Sequence, residues 1–208
     1  MGNNCFMKKD ILLLLIICFS INCEAQNLIP AKRNTIVYTS IDSAVKYKDS
    51  VLYLELKHDA ILKTDLSLIA QLPNLTQLSL YGGGLTQIPE SIYKLGNLRQ
   101  LTISYNKISS IPKSILKLKK LEYLALNNTR VTEIPGWIKN MSSLKSLVLE
   151  RNNITTLKNS PGLNRTLNYL SISNNQLKEL PASFKAFSNL KKISPIISLP
   201  IYPAFCYR

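Results

Sequence analysis

The sequence predicts an α/β solenoid, in which short strands and short helical segments alternate along the chain and stack unit upon unit. A constant interval of 23 residues separates Leu75, Leu98, Leu121, Leu144 and Leu167. Within each unit, apolar residues recur at positions 1, 4, 6, 11 and 14. A period of this length is typical of repeat proteins, whose units cannot bury an apolar face alone and share one core when stacked.

The third unit shows why each segment is expected to take its form. The polar Gln100 and Thr102 alternate with the apolar Leu101 and Ile103. This two-residue period is typical of a strand with one buried face. Asn106 then bends the chain, because its amide can hydrogen-bond to neighbouring backbone groups. Pro112 fixes a backbone angle and begins the return segment.

The pattern LxxLxLxxNxLxxIPxxIxxLxx resembles the 23-residue class of the leucine-rich repeat family, as found in exported bacterial repeat proteins and plant Ras-group-related repeat proteins. The match spans residues 51–189, and an apolar-proline pair recurs in four units, at Ile88-Pro89, Ile111-Pro112, Ile134-Pro135 and Leu180-Pro181. The resemblance implies a horseshoe with a parallel sheet on its concave side and short helical or 3₁₀ segments on its convex side.

Residues 1–25 are predicted to be a signal peptide. Lys8 and Lys9 precede the apolar run Ile11–Ile21, and Cys23-Glu24-Ala25 provides small residues at the −3 and −1 positions of a cleavage site. The run is too short to cross a bilayer, so we expect no transmembrane span in the mature chain. An uncleaved anchor and a lipidated Cys23 are the alternatives. The prediction is an exported protein, either secreted, periplasmic or associated with the cell surface.

The remaining chain divides into three parts. Residues 26–50 are predicted to cap the solenoid, with a short helix near Asp42 and Ser40 or Thr39 as its N-cap. Residues 51–189 form six repeat units. Residues 190–208 begin a seventh unit and end in a proline-containing tail, which is either a terminal cap or the start of a longer protein.

Composition argues against a reactive centre. The chain has one histidine and four cysteines among 208 residues, and removal of the signal would leave Cys206 alone. We therefore expect no catalytic residues, no cofactor and no metal ion. His58 is expected to be a solvated residue beside the concave face. The net charge of +14 is unusual and is compatible with an anionic partner.

Unit positions 3, 5 and 7 are predicted to face the concave groove, with position 8 beside them. Three of the eighteen residues at positions 3, 5 and 7 are charged, so the positive charge is expected on the flanks and the convex side. Tyrosine provides rigid contact area with a polar tip and is enriched at interfaces. The predicted partner-binding residues are Tyr53, Glu55, Lys57, Gln77, Tyr81, Gln100, Thr102, Tyr105, Tyr123, Asn127, Glu150 and Tyr169.

The sequence thus predicts a non-catalytic recognition module that binds a protein or peptide in its concave groove, with tyrosines as anchors. The first alternative is binding of a polyanion or an envelope surface through the basic flank. The second is binding of a glycan by the tyrosine-rich groove. We expect no binding of nucleic acid, and we expect a monomer.

Overall fold

A computed structural model describes residues 36–155, 157, 166–177 and 192–194. The predicted signal peptide, the first part of the predicted cap, Leu180-Pro181 and the tail from residue 195 lie outside the described residues. Within the described part, no helix is long and apolar enough to cross a bilayer.

The repeat builds one parallel sheet of eight strands, with neighbours in the sheet following the order of the chain. This arrangement confirms the predicted α/β solenoid. The strands are β1 (Val37–Tyr38), β2 (Tyr53–Lys57), β3 (Gln77–Tyr81), β4 (Gln100–Ser104), β5 (Tyr123–Ala125), β6 (Ser146–Val148), β7 (Tyr169–Ser171) and β8 (Lys192–Ser194).

Short helices complete the units. The helix α1 (Ile41–Lys46) lies in the predicted cap, with Ser40 as its N-cap and Asp42 in its first turn. The helix α2 (Asp59–Leu62) follows β2. The convex segments are 3₁₀ helices, at Leu66–Gln71, Glu90–Lys94, Lys113–Lys117 and Gly136–Asn140.

Proline begins three of these 3₁₀ helices, as the sequence predicts. Pro112, for example, is the residue before Lys113–Lys117, and its carbonyl accepts a hydrogen bond from the Ile115 amide at 3.1 Å. Ile115 is fully buried, so this return segment closes over the core with an apolar side chain, as Ile92 and Ile138 do in the neighbouring segments. Burial of such a side chain contributes about 1.5–3 kcal/mol.

One continuous core runs through the stack. The inward side chains of the strands are at most 1% exposed and lie next to one another in register, as in Leu54, Leu78, Leu101 and Leu124. The constant spacing of the repeat therefore places the leucines of consecutive units side by side through all six units. A strand out of register by one residue would turn this row towards solvent.

Asparagine at position 9 links the third, fifth and sixth units each to the unit before. The amide oxygen of Asn175 accepts a hydrogen bond from the Ile154 amide at 3.0 Å, and its nitrogen donates to the carbonyl of Leu149 at 2.8 Å. Asn106 makes the equivalent oxygen contact with the Leu85 amide at 2.9 Å. These buried bonds satisfy backbone groups that the short strands leave unpaired.

Candidate interaction surface

The concave face consists of side chains that stack in columns across the sheet. The position-3 column holds Tyr53, Gln77, Gln100, Tyr123, Ser146 and Tyr169, and the position-5 column holds Glu55, Ser79, Thr102, Ala125, Val148 and Ser171. The residues predicted at these positions therefore share one face, opposite the core leucines.

The β2–β4 half of this face is accessible. Gln77, Gln100 and Thr102 are half-buried, so each leaves part of its side chain in solvent. The half-buried Glu55 forms an ion pair with Lys57 at 2.5 Å and accepts a hydrogen bond from the Tyr53 hydroxyl at 3.2 Å. Burial, followed by the charge of Glu55, raises the pKa of Tyr53 to about 12.

The β5–β7 half is closed. Tyr123 is 9% exposed and Tyr169 is 6% exposed, although both occupy the predicted column. Between them in register lies Ser146, which is 1% exposed. Burial raises the pKa of Tyr123, and the charges of Tyr169 and Glu150 add to the effect. Tyr123 and Tyr169 therefore offer little surface to a partner.

Two further predicted residues are engaged within the protein. Glu150 is half-buried and accepts a hydrogen bond from the Ser171 hydroxyl. Asn127 is also half-buried, and its amide oxygen accepts a hydrogen bond from the Glu150 amide at 3.0 Å. Both side chains help to hold adjacent units together at the end of the strands.

An aromatic cluster stands at the carboxyl ends of β2–β4. The rings of His58 and Tyr81 meet edge to face, with centroids 5.7 Å apart, and the rings of Tyr81 and Tyr105 are 4.6 Å apart. Tyr105 is 47% exposed and His58 is exposed as well. Ring pairs at these distances stabilise one another while leaving their outer faces free for contact.

Position 8 adopts the left-handed backbone conformation in all six units. The angle φ is positive at His58, Gly82, Tyr105, Asn128, Arg151 and Asn174. In the first five units, the amide at position 8 donates to the carbonyl at position 7 of the next unit, as in Tyr105 to Asn127 at 3.0 Å. The ladder of strand bonds thus extends by one residue while the chain bends away. For a residue other than glycine or asparagine, this conformation costs about 1–2 kcal/mol.

A charged cluster that the sequence analysis did not single out lies at the opposite edge of the sheet. Glu122 pairs with Arg99 and with Lys145, the latter at 2.6 Å. Although burial alone would raise the pKa of Glu122, hydrogen bonds and charges from Lys145 and Arg99 hold that pKa below its usual value. Position 2 of three consecutive units reads Arg, Glu, Lys, so the 23-residue spacing contained the signal.

The described residues contain no group of three or more His, Cys, Asp or Glu side chains that could hold a metal ion. The lone histidine, His58, packs against Tyr81 and lies over Gly82, where an added Cβ would be 2.4 Å from its Nδ1 atom. What the surface presents is therefore contact area, hydrogen-bonding groups and charge.

Comparison with known proteins agrees with this architecture. The family model described as "Leucine-rich repeat region" matches residues 49–159, and the model described as "Leucine Rich Repeat" matches residues 166–187. The chain belongs to the leucine-rich repeat family. A sequence comparison with curated proteins finds no match.

Solved structures resemble the chain as well. A leucine-rich repeat protein from Leptospira interrogans is 29% identical, with a TM-score of 0.70 over 79% of this chain and 41% of its own. Internalin C2 from Listeria monocytogenes is 25% identical, with a TM-score of 0.59 over 73% of this chain and 62% of its own. A second internalin from the same organism is 23% identical, with a TM-score of 0.59 over 80% of this chain and 55% of its own. The chain thus spans less than two thirds of the length of each of these neighbours, and the last of them supports the fold alone.

Proposed function

We propose that the protein is an exported, non-catalytic recognition module that binds a protein or peptide on its concave side. The observation that carries this proposal is the accessible half of the concave face, where the aromatic cluster of His58, Tyr81 and Tyr105 borders the half-buried polar column of Gln77 and Gln100. A rigid sheet that presents aromatic rings among small polar groups has the composition of a protein interface.

The scaffold also has suitable dimensions. The seven parallel strands from β2 to β8, at about 4.8 Å a step, extend over roughly 30 Å. An ordinary interface needs about 800 Å² on each partner, so a partner seated on the β2–β4 half is expected to extend beyond it along the sheet. Export is supported by the basic and apolar pattern of residues 1–25.

The function can be tested by affinity capture from an envelope and culture-supernatant extract, followed by direct binding of the purified captured protein. The groove variant combines Gln77→Ala, Tyr81→Ala and Gln100→Ala, none of which is a core residue. The control variant combines Lys94→Ala, Lys117→Ala and Lys139→Ala, which are exposed on the convex side. We expect at least a tenfold loss of affinity in the groove variant alone, at both low and high salt.

Binding of a polyanion or envelope surface is a second candidate, favoured by the exposed lysines of the convex side. Lys94, Lys117, Lys119 and Lys139 form none of the ion pairs found in the described part of the chain. Capture that is lost from the lysine variant and falls steeply with salt would identify this second function. It would also contradict the proposal of groove binding.

A further inference from the structure

Three of the six residues at position 8 are not those that the backbone favours. Asparagine and glycine adopt left-handed angles most easily, and Gly82, Asn128 and Asn174 follow that preference. Tyr105 and Arg151 adopt the same conformation, with φ of 57° and 53°. A large side chain held in an unfavourable backbone conformation on the surface points to a role outside folding.

Exposed basic residues occupy positions 8 and 10 of the third to fifth units, near Tyr105 in the repeat. Lys107 and Arg130 occupy position 10, two residues beyond position 8 in their units, and both are exposed, as is Arg151. None of the three forms an ion pair in the part of the chain that the structure describes. We call the four residues Tyr105, Lys107, Arg130 and Arg151 the rim.

Carboxylates do not balance the rim. Among the described residues, every exposed carboxylate precedes the third unit, at Asp42, Asp49, Asp59, Asp65 and Glu90. In the units that bear the rim, Glu122, Glu133 and Glu150 are half-buried, and Glu122 and Glu150 already contact a neighbouring unit, through Lys145 and Ser171 respectively. The described residues of these units therefore include exposed cations but no exposed carboxylate, and the rim presents a positive strip that includes an exposed aromatic ring.

We infer that the rim binds an acidic segment of a protein partner, with carboxylates on Lys107, Arg130 and Arg151 and an apolar or aromatic side chain on the ring of Tyr105. This inference rests on the proposed function and names the partner's chemistry. Successive units are about 4.8 Å apart, so the three cations span roughly 10 Å. Two or three carboxylates within three or four extended residues would match that spacing, at about 3.3 Å per residue.

The test uses a displayed library of random dodecapeptides, selected on the protein and then measured as synthetic peptides. The rim variant combines Tyr105→Asn and Arg151→Asn, which install the residue that the fourth and sixth units carry at position 8. A charge-matched control, Lys117→Gln, removes one exposed positive charge on the convex side. We expect peptides with clustered Asp or Glu beside an aromatic or apolar residue, and at least a tenfold loss of affinity in the rim variant alone.

Thermal melting separates this role from a structural one. Because the relief of backbone strain by asparagine offsets the lost ring contact between Tyr105 and Tyr81, the melting temperature of the rim variant should stay close to that of the wild type. A melting temperature several degrees lower would mean that Tyr105 or Arg151 serves the fold, and would overturn the inference.

The remaining outcomes distinguish the inference from the function on which it rests. Peptides that bind the rim variant normally, but lose affinity with Gln77→Ala and Gln100→Ala, would overturn the rim inference and support groove recognition. A library that yields no peptide, together with a glycan array on which binding depends on Tyr81, would overturn both. Peptides without acidic clusters would overturn the rim inference alone.

Discussion

The hydroxyl of Thr129 donates a hydrogen bond to the amide oxygen of Asn152 in the following unit, at 2.5 Å. The same oxygen accepts from the Val131 amide at 3.0 Å, and the Asn152 nitrogen donates to the Leu126 carbonyl at 2.6 Å. Thr129 stands at position 9, where the repeat usually carries asparagine. The polar ladder therefore continues through a unit that departs from the consensus.

Replacement of Asn152 by alanine should lower the free energy of unfolding by about 2–4 kcal/mol, because it leaves buried backbone groups without partners. Urea unfolding followed by circular dichroism measures the change. The matched control is Asn153→Ala, one residue further on and exposed, which should shift the midpoint little. Equal losses in the two variants would contradict the role assigned to the buried ladder.

The glycines that follow β3 provide a second comparison. Gly83 has φ of +86°, and a Cβ added there would be 2.5 Å from Cγ2 of the buried Ile61, whereas a Cβ at Gly84, with φ of +69°, meets nothing within 4 Å. Gly83→Ala should therefore lower the melting temperature clearly more than Gly84→Ala. Gly96→Ala, which has open space, should change it least. A reversed order would show that backbone strain outweighs packing at this turn.

Ionisation of Tyr93 is expected to reduce the stability of the protein at high pH. It is buried, and burial, with the charge of Glu90 as a smaller cause, raises its pKa to about 12. An unfolded tyrosine has a pKa of about 10. The folded state thus binds the proton more tightly, and this contribution is present below pH 10 and lost as the pH rises from about 10 to 12.

The prediction for Tyr93 can be measured by comparing the melting temperatures of the wild type and Tyr93→Phe between pH 9 and 12. The wild type should lose stability more steeply than the variant over that range. Parallel curves would mean that the phenol of Tyr93 ionises equally well in the folded and unfolded states.

Protonation of Glu122 is expected to reduce the stability of the protein at acid pH. Lys145 and Arg99 hold its folded-state pKa below the ordinary value, so its contribution is present above the unfolded pKa of about 4.3 and is lost as the pH falls through the folded pKa. Glu122→Gln should therefore reduce stability at pH 7 and reduce it much less at pH 3. Glu90→Gln, at an exposed position, is the control and should show no such convergence.

Replacement of different tyrosines on the concave side should change the melting temperature by different amounts. Tyr123→Ala removes a ring that is 9% exposed and should lower the melting temperature, but by less than Leu124→Ala, whose side chain is fully inside the core. Tyr105→Ala removes a half-exposed ring whose contact is with Tyr81 and should lower the melting temperature less than Tyr123→Ala. If Tyr123→Ala destabilises as much as Leu124→Ala, the assignment of the two faces of β5 is wrong.

The sequence by itself determined the class of fold, the core and the columns of the concave face. A 23-residue period leaves one way to stack leucine on leucine, and the two-residue period of a strand then assigns Gln77, Gln100 and Tyr123 to a common column on the other face. The presence of Thr129 at position 9 is compatible with that register, because its hydroxyl can donate a hydrogen bond as the amide nitrogen of asparagine does.

Only the tertiary structure decided which predicted residues are accessible. The sequence predicts Tyr123, Tyr169 and Tyr105 as partner-binding residues, yet the structure buries the first two and exposes the third. Left-handed angles at position 8, the ring contacts of His58 and the absence of ion pairs at Arg151 in the described part also appear only there. Periodicity fixes the direction of a side chain from its own strand, whereas exposure and charge balance depend on neighbours that are 23 or more residues away.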